Sequence, residues 1–173
     1  MKYAYCPFDD DQTVDAIRIN IQDFHKHTRF DRMFREQFDM NIRKWTAGNP
    51  RVMGDIWRMS QVYVFGHGMP RADSIGAMDG TEISITELAN RIAASGLSKH
   101  HRKIKLFSCN GGTGGLDSMA AKLWIELYNN HDFKEIKVYG YTESMVIGVD
   151  DTGHKIGDSG TRAKNLRVKF ARG

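Results

Sequence analysis

A histidine and a cysteine each stand where an apolar, β-rich run breaks into a glycine-containing loop: Val62-Tyr63-Val64-Phe65-Gly66-His67-Gly68 and Ile104-Lys105-Leu106-Phe107-Ser108-Cys109-Asn110-Gly111. A thiol beside an imidazole is a minimal set for nucleophilic acyl transfer. The ring takes the thiol proton, the thiolate attacks, and the imidazolium returns a proton to the leaving group. Such chemistry also needs donors for an oxyanion, and backbone N–H groups serve best where no side chain crowds them. Gly68, directly after His67, meets that need, with the Cys109 amide as a second donor. Taken singly, a free cysteine is commonly a small buried residue and a histidine a hydrogen-bonded structural one. Their matched placement at two apparent strand ends is what favours chemistry.

The elements that must position the pair follow from hydrophobic periodicity. From Gln61 onward the rhythm is strand, loop, helix, strand, which predicts βαβ units and a parallel sheet. Strands are expected at 62–66, 103–108 and 135–141. A long loop is expected over 67–83, and its stretch from Met69 to Gly80, with Gly76 and Gly80, reads as a mobile lid over the site. A helix over about 85–95 starts at the capping pattern Ser84-Ile85-Thr86-Glu87 and stops at Gly96; a second spans about 117–129. The remainder, including Leu166-Arg167-Val168-Lys169-Phe170, reads as antiparallel edge structure. Residues 1–60 read as an N-terminal strand and helical elaboration of the same single domain of 173 residues. Within it, 11–48 looks helical, with Val14, Ile17, Ile21 and Phe24 on one stripe and Phe30, Phe34, Phe38, Ile42 and Trp45 on another. Right-handed crossovers would then bring His67 and Cys109 to one edge of the sheet.

Composition excludes several classes. The chain is 40% apolar with nine Phe and nine Met, which argues against disorder. No apolar run approaches the roughly 20 residues of a membrane span. The residues after Met1 lead straight into Pro7-Phe8-Asp9-Asp10-Asp11, so a secretory h-region is not expected, and the predicted location is cytoplasmic or reached by a non-classical export route. Cys6 and Cys109 read as thiols. The net charge of +4 is concentrated. From His154 to the end, Lys155, Arg162, Lys164, Arg167, Lys169 and Arg172 face one acid, Asp158. Together with Lys99-His100-His101-Arg102-Lys103-Ile104-Lys105, these residues are either solvated surface or a site for a polyphosphate. Nucleic acid is disfavoured because aromatics do not interleave with the cations as a stacking platform requires. His25 and His27, or His100 and His101, lack the spacing of a metal site and read as solvated.

A strand ending in His-Gly, a loop, a helix, and a strand ending in a small residue and Cys resembles the caspase-like cysteine peptidases. Within that group the chain looks most like the self-cleaving cysteine protease domains of large bacterial toxins that are switched on by inositol hexakisphosphate. The likeness rests on Val64–Gly68, Ile83–Ala89, Lys105–Asn110 and Val149-Asp150-Asp151-Thr152-Gly153-His154-Lys155, and covers roughly residues 60–173. It implies a caspase-like α/β fold, a mainly parallel central sheet flanked by helices with antiparallel C-terminal edge strands. It also implies a protein or peptide substrate, His67 as general acid/base, Cys109 as nucleophile, and Gly68 and Cys109 as oxyanion donors. Thr142, Glu143 and Ser144 would lie along the substrate cleft, and Lys155, Arg162, Lys164, Arg167 and Lys169 would bind an anionic activator. A pocket carrying Glu143, Asp150 or Asp151 would favour basic substrates. No metal or obligatory cofactor is expected.

Two other classes compete. Asn110-Gly111-Gly112-Thr113-Gly114-Gly115, after a strand and before a helix, has the small residues of a phosphate cradle for a nucleotide or sugar phosphate. It lacks the Gly-Lys-Ser/Thr ending of a P-loop and does not match the dinucleotide G-x-G-x-x-G. A catalytically inactive caspase-like interaction module is the other. An α/β-hydrolase fits less well, since Phe107 stands where its G-x-S-x-G elbow requires glycine.

Overall fold

The computed structural model describes residues 1–26, 41–145 and 155–172, with the side chains of the first helix described through Ile19. Eight strands are defined: β1 (Lys2–Cys6), β2 (Asn41–Lys44), β3 (Gln61–Phe65), β4 (Ser74–Gly76), β5 (Glu82–Ser84), β6 (Lys103–Phe107), β7 (Lys137–Tyr141) and β8 (Arg167–Phe170). The helices are α1 (Asp11–Lys26), α2 (Ile85–Ala94) and α3 (Met119–Asn130), the last preceded by a 3-10 turn at Gly115–Asp117. Six strands form one sheet in the order β2-β1-β3-β6-β7-β8, and β4 and β5 form a separate hairpin. The first five strands of that order are parallel and β8 is antiparallel to β7. The fold is therefore α/β with a mostly parallel central sheet and an antiparallel edge.

Crossover handedness explains where the helices lie. The chain steps one way from β3 to β6 to β7, which places α2 and α3 on one face, and the opposite way from β1 to β2, which places α1 on the other. On the α2/α3 face Val62, Val64, Ile104, Leu106 and Val138 meet Leu88, Ile92, Ala120 and Leu123 in one fully buried core. Trimming Leu106 or Leu123 to alanine there would cost about 2–5 kcal/mol. Gly140 on β7 is obligatory: a Cβ would sit 2.7 Å from both Ala120 Cβ and Gly112 N. Only a bare backbone lets α3, β7 and the loop after β6 approach this closely.

The N-terminal 60 residues are more than an appendage to the sheet, since they supply two of its strands. The helical pattern expected over 11–48 ends within the described residues at Lys26, and Asn41–Lys44 instead forms β2, paired in parallel with Tyr3–Cys6. Pairing with an open strand edge overrides the helical spacing of Ile42 and Trp45. Phe30, Phe34 and Phe38 lie outside the described residues, as do Val149–His154. The loop expected over 67–83 contains the β4–β5 hairpin. The α2 start behaves as read, Ser84 Oγ accepting from Glu87 N at 3.0 Å, although the Glu87 carboxylate turns to Arg91 at 2.7 Å.

Candidate active site

Register sets the geometry of the site. Phe65 on β3 is paired with Phe107 on β6, and His67 and Cys109 each lie two residues further on. They therefore leave neighbouring parallel strands at the same level, where strand spacing is about 5 Å. Strand order reverses between β1 and β3, and that switch point at the carboxyl ends of the strands is where open α/β sheets hold ligands.

A cleft of about 150 Å³ opens at this place and carries both His67 and Cys109 in its lining, with Phe65, Phe107 and Ser108 below, Thr13, Ala16 and Ile17 of α1 on one side, and Gly76, Met78 and Met145 around it. The Phe65 and Phe107 rings meet at 4.9 Å between centroids and form its floor. Among the described residues that line it, none is Asp, Glu, Lys or Arg.

His67 is exposed, and its backbone is fixed by the hairpin: its N–H donates to Gly76 O at 2.7 Å, and Gly76 N donates back at 3.0 Å. Its Nε2 lies 2.8 Å from Met78 Sδ. Cys109 is half-buried, whereas Cys6 is fully buried. Burial pushes the Cys6 thiol up to about 11, and its Sγ donates to Phe8 O at 3.4 Å. The two thiols thus differ in exposure, Cys6 being sealed in the core and Cys109 open to the cleft.

Gly68 is pressed against the second loop. A Cβ there would come within 2.8 Å of both Cys109 O and Ser108 Oγ. Among the described residues the amides of Gly68 and Cys109 donate to no protein acceptor, which leaves both available to an oxyanion. Neighbouring amides are occupied: Gly111 N donates to Ser108 O, Gly112 N to Tyr141 O and Thr113 N to Asn110 O, at 3.4, 2.8 and 2.9 Å. At the start of α3, Ala120 N donates to Gly111 O, and Ser118 Oγ caps Ala121 N. The donors a phosphate cradle over 110–115 would use are thereby largely engaged within the protein.

Thr142, Glu143 and Ser144 run along the outer side of the loop after Cys109. Asn110 N donates to Glu143 O at 3.1 Å, Asn110 Nδ2 lies 3.4 Å from Ser144 Oγ, and Thr113 Oγ1 donates to Thr142 O. None of the three lines the cleft; Met145, the next residue, does. The Glu143 carboxylate accepts from Ser159 Oγ at 2.7 Å and Ser159 N at 3.2 Å. That carboxylate is engaged by Ser159 and is not part of the cleft lining.

The basic residues divide. Lys155 Nζ sits 4.3 Å above the ring of Phe107, and Arg167 stacks on Tyr139. Lys105, expected at the surface, is buried, its Nζ donating to Tyr63 OH at 2.8 Å. Burial first, then the charges of Arg167, Lys2 and Lys103, bring the Lys105 amine down to about 7. Burial and Lys2 lower Lys155 to about 8. Lys2, Lys105, Lys155 and Arg167 thus share one neighbourhood on the sheet face opposite α2 and α3. Lys169 is exposed on that same face, paired with Tyr139 in register. Arg162 bridges to Ile156, and Lys164 is exposed on the following turn. His101, expected to be solvated, is buried with Nε2 3.1 Å from Lys103 O, and burial lowers it to about 4.

Sequence reasoning missed Met78, Thr13, Ala16 and Met145, which carry no local chemical signal, and Lys2, which looks like an ordinary strand-flanking cation; Lys105 entered only as part of the basic stretch 99–105. Among the described residues no group of three or more His, Cys, Asp or Glu could hold a metal ion, and no helix is long and apolar enough to cross a membrane.

Fold and site together define an α/β domain with a thiol and an imidazole at the carboxyl edge of its sheet. The chain belongs to the family described as Domain of unknown function (DUF8616), which matches residues 48–158. The matched span includes His67, Gly68, Cys109 and Thr142–Ser144, and leaves out α1 and the residues from Arg162 to Lys169. No curated protein matches the chain.

Proposed function

We propose that the protein is a caspase-like cysteine endopeptidase in which His67 and Cys109 form the catalytic dyad. The observation that carries this reading is the shared cleft, with both residues two positions beyond the registered pair Phe65 and Phe107. His67 withdraws the thiol proton, and the Cys109 sulfur attacks the scissile carbonyl. The amides of Gly68 and Cys109 receive the developing oxyanion, and the imidazolium protonates the leaving amine as the thioester forms. Water then attacks the thioester with His67 again as base, releasing the acid product and restoring the thiol.

The apolar cleft supports an apolar residue before the scissile bond. Phe65, Phe107, Ile17, Met78 and Met145 offer a branched aliphatic side chain only carbon and sulfur surfaces, which reward apolar burial by about 25 cal/mol per Å². The basic neighbourhood of Lys2, Lys105, Lys155 and Arg167 supports an anionic activator such as inositol hexakisphosphate. Clustered cations, two of them with depressed affinity for their protons, are relieved by a polyanion. Lys155 rests on Phe107, whose other contacts form the cleft floor, so an anion held there would bear on the catalytic loop. The reduced state of the thiols is in keeping with a cytoplasmic setting, or with delivery into one.

The test is a peptidyl acyloxymethyl ketone with leucine next to the warhead, incubated with and without inositol hexakisphosphate and read by intact mass and peptide mapping. Modification of Cys109 alone, lost in the His67→Ala variant, is expected. An unmodified Cys109 under both conditions, with a nucleotide raising the melting temperature by several degrees, would favour the phosphate-binding alternative.

A further inference from the structure

The dyad has no acidic third member in view. Among the described residues no carboxylate bonds to His67; the group at its ring is the thioether of Met78, with Sδ 2.8 Å from Nε2. A thioether can only accept a hydrogen bond. Read as a hydrogen bond, this contact has the proton on Nε2 and leaves Nδ1 as the lone-pair nitrogen of the neutral ring.

Met78 is itself held. Its N–H donates to Thr13 Oγ1 at 2.9 Å, and Thr13 is buried at the start of α1, where the Asp10 carboxylate accepts from both its N–H and its hydroxyl. Burial alone would raise the Asp10 carboxyl, but bonds from Thr13 and Gln12 outweigh it and hold that carboxyl below its ordinary range. On the other side, the hairpin that carries Met78 is bridged to the backbone of His67 through Gly76. The imidazole is thus gripped at its backbone by one end of the hairpin and at its ring by the turn that follows.

We infer that Met78 is the positioning residue of the dyad, filling the role that a carboxylate or backbone carbonyl commonly plays, and that Nδ1 of His67 is the nitrogen that exchanges the proton with Cys109. This rests on the peptidase reading of the site. In the acylation step Nδ1 takes the proton from Sγ, the new S–C bond forms as the carbonyl π pair moves to oxygen, and the collapsing intermediate expels the amine, which leaves with the Nδ1 proton. Nε2 keeps its proton throughout, against the Met78 sulfur. A neutral acceptor does so without adding a charge to an otherwise apolar cleft, whereas an orienting carboxylate would charge the subsite.

The experiment compares Met78→Leu, which keeps the volume without the acceptor, with Met78→Gln, which restores an acceptor oxygen at similar reach. Two readouts are taken: steady-state cleavage of a fluorogenic peptide with leucine before the bond, with inositol hexakisphosphate present, and the nitrogen-15 signals of the His67 ring, assigned by loss in His67→Ala. The expected result is that Met78→Leu lowers kcat about tenfold with KM within twofold, and shifts the ring nitrogens away from the pure Nε2–H pattern, while Met78→Gln recovers most of both. Cys109-dependent cleavage that is unchanged in Met78→Leu, or an Nδ1–H ring in the wild type, overturns the inference and leaves the peptidase reading standing. Absence of any Cys109-dependent cleavage in the wild type overturns that reading, and the assignment to Met78 falls with it.

Discussion

A small alkylating reagent such as iodoacetamide, added at pH 7.5 to the folded protein, is expected to separate the two cysteines by more than two orders of magnitude in rate. The thiolate is the reactive form. With its thiol pushed up to about 11, Cys6 is ionised in roughly one molecule in three thousand at that pH, against about one in ten for an unperturbed cysteine near 8.5. Ionisation alone therefore slows Cys6 by about 300-fold relative to an ordinary thiol, and complete burial slows it further because the reagent must wait for an opening of the fold. Cys109 is half-buried and lines the cleft, so a reagent reaches it without an opening of the fold. The assay is a timed quench followed by peptide mapping of the two cysteines in wild type and in His67→Ala. Loss of the imidazole removes the base that draws off the thiol proton, and Cys109 should slow by at least about tenfold while Cys6 stays as it was. Comparable labelling of the two thiols, or a Cys109 rate indifferent to His67, would refute the pairing of imidazole and thiol in one site.

Gly68→Ala must push apart the His67 and Cys109 loops, whose backbones are in contact, with an expected cost of about 1–3 kcal/mol in urea unfolding and a larger proportional loss in probe labelling at Cys109; labelling at the wild-type rate would remove Gly68 from the oxyanion site. Ala16→Phe, on the α1 wall of the cleft, is expected to lower the ratio of kcat/KM for leucine over alanine before the scissile bond by about tenfold or more, and an unchanged ratio would put the specificity pocket elsewhere. Lys105 has a folded affinity for its proton near 7 and an unfolded one near the ordinary lysine value of about 10.4. Between those two the unfolded chain binds the extra proton, so stability should rise with pH from about 7 to about 10. Lys105→Met is expected to flatten that rise in urea titrations at a series of pH values, and equal slopes in the two proteins would contradict the burial of the amine.

The regions of the fold that could be read from the sequence are those whose signal is local. The β3 and β6 runs alternate or continue in apolar residues and break at glycine. Ser84 to Glu87 caps α2, and Gly96, with φ of +81°, ends it as a left-handed residue. The placement of His67 and Cys109 at one edge followed from crossover handedness alone. What was not legible depends on pairing at a distance. Asn41–Lys44 has a helical neighbourhood in sequence but a free parallel edge of β1 beside it in space. The three-residue strands β4 and β5 are too short for a periodic signal and exist through each other. Lys105 looks solvated because its flanks are basic, yet its place in β6 turns it beneath the sheet surface onto Tyr63. Met78 could not be singled out, since its contact with His67 arises from the hairpin and from Thr13 on α1.

The separation of His67 and Cys109 is set below the loops that carry them. A one-residue slip between β3 and β6 would turn every side chain of the shifted strand to the opposite face, so whatever fixes the Tyr63–Lys105 and Phe65–Phe107 pairings also fixes the dyad. Those pairings are held by the tilted stack of the two phenylalanines and, one step lower, by the hydrogen bond from Lys105 Nζ to Tyr63 OH. The basic neighbourhood that would receive a polyanion therefore shares a cross-strand bond with the ladder that positions His67 and Cys109. Protonation of Lys105 is what an anion would favour, and an ammonium is a stronger donor to Tyr63 than a neutral amine. On the proposed reading, an anion at this face would tighten the β3–β6 pairing two residues beneath the cleft floor, a route to His67 and Cys109 through strand register rather than through movement of a loop.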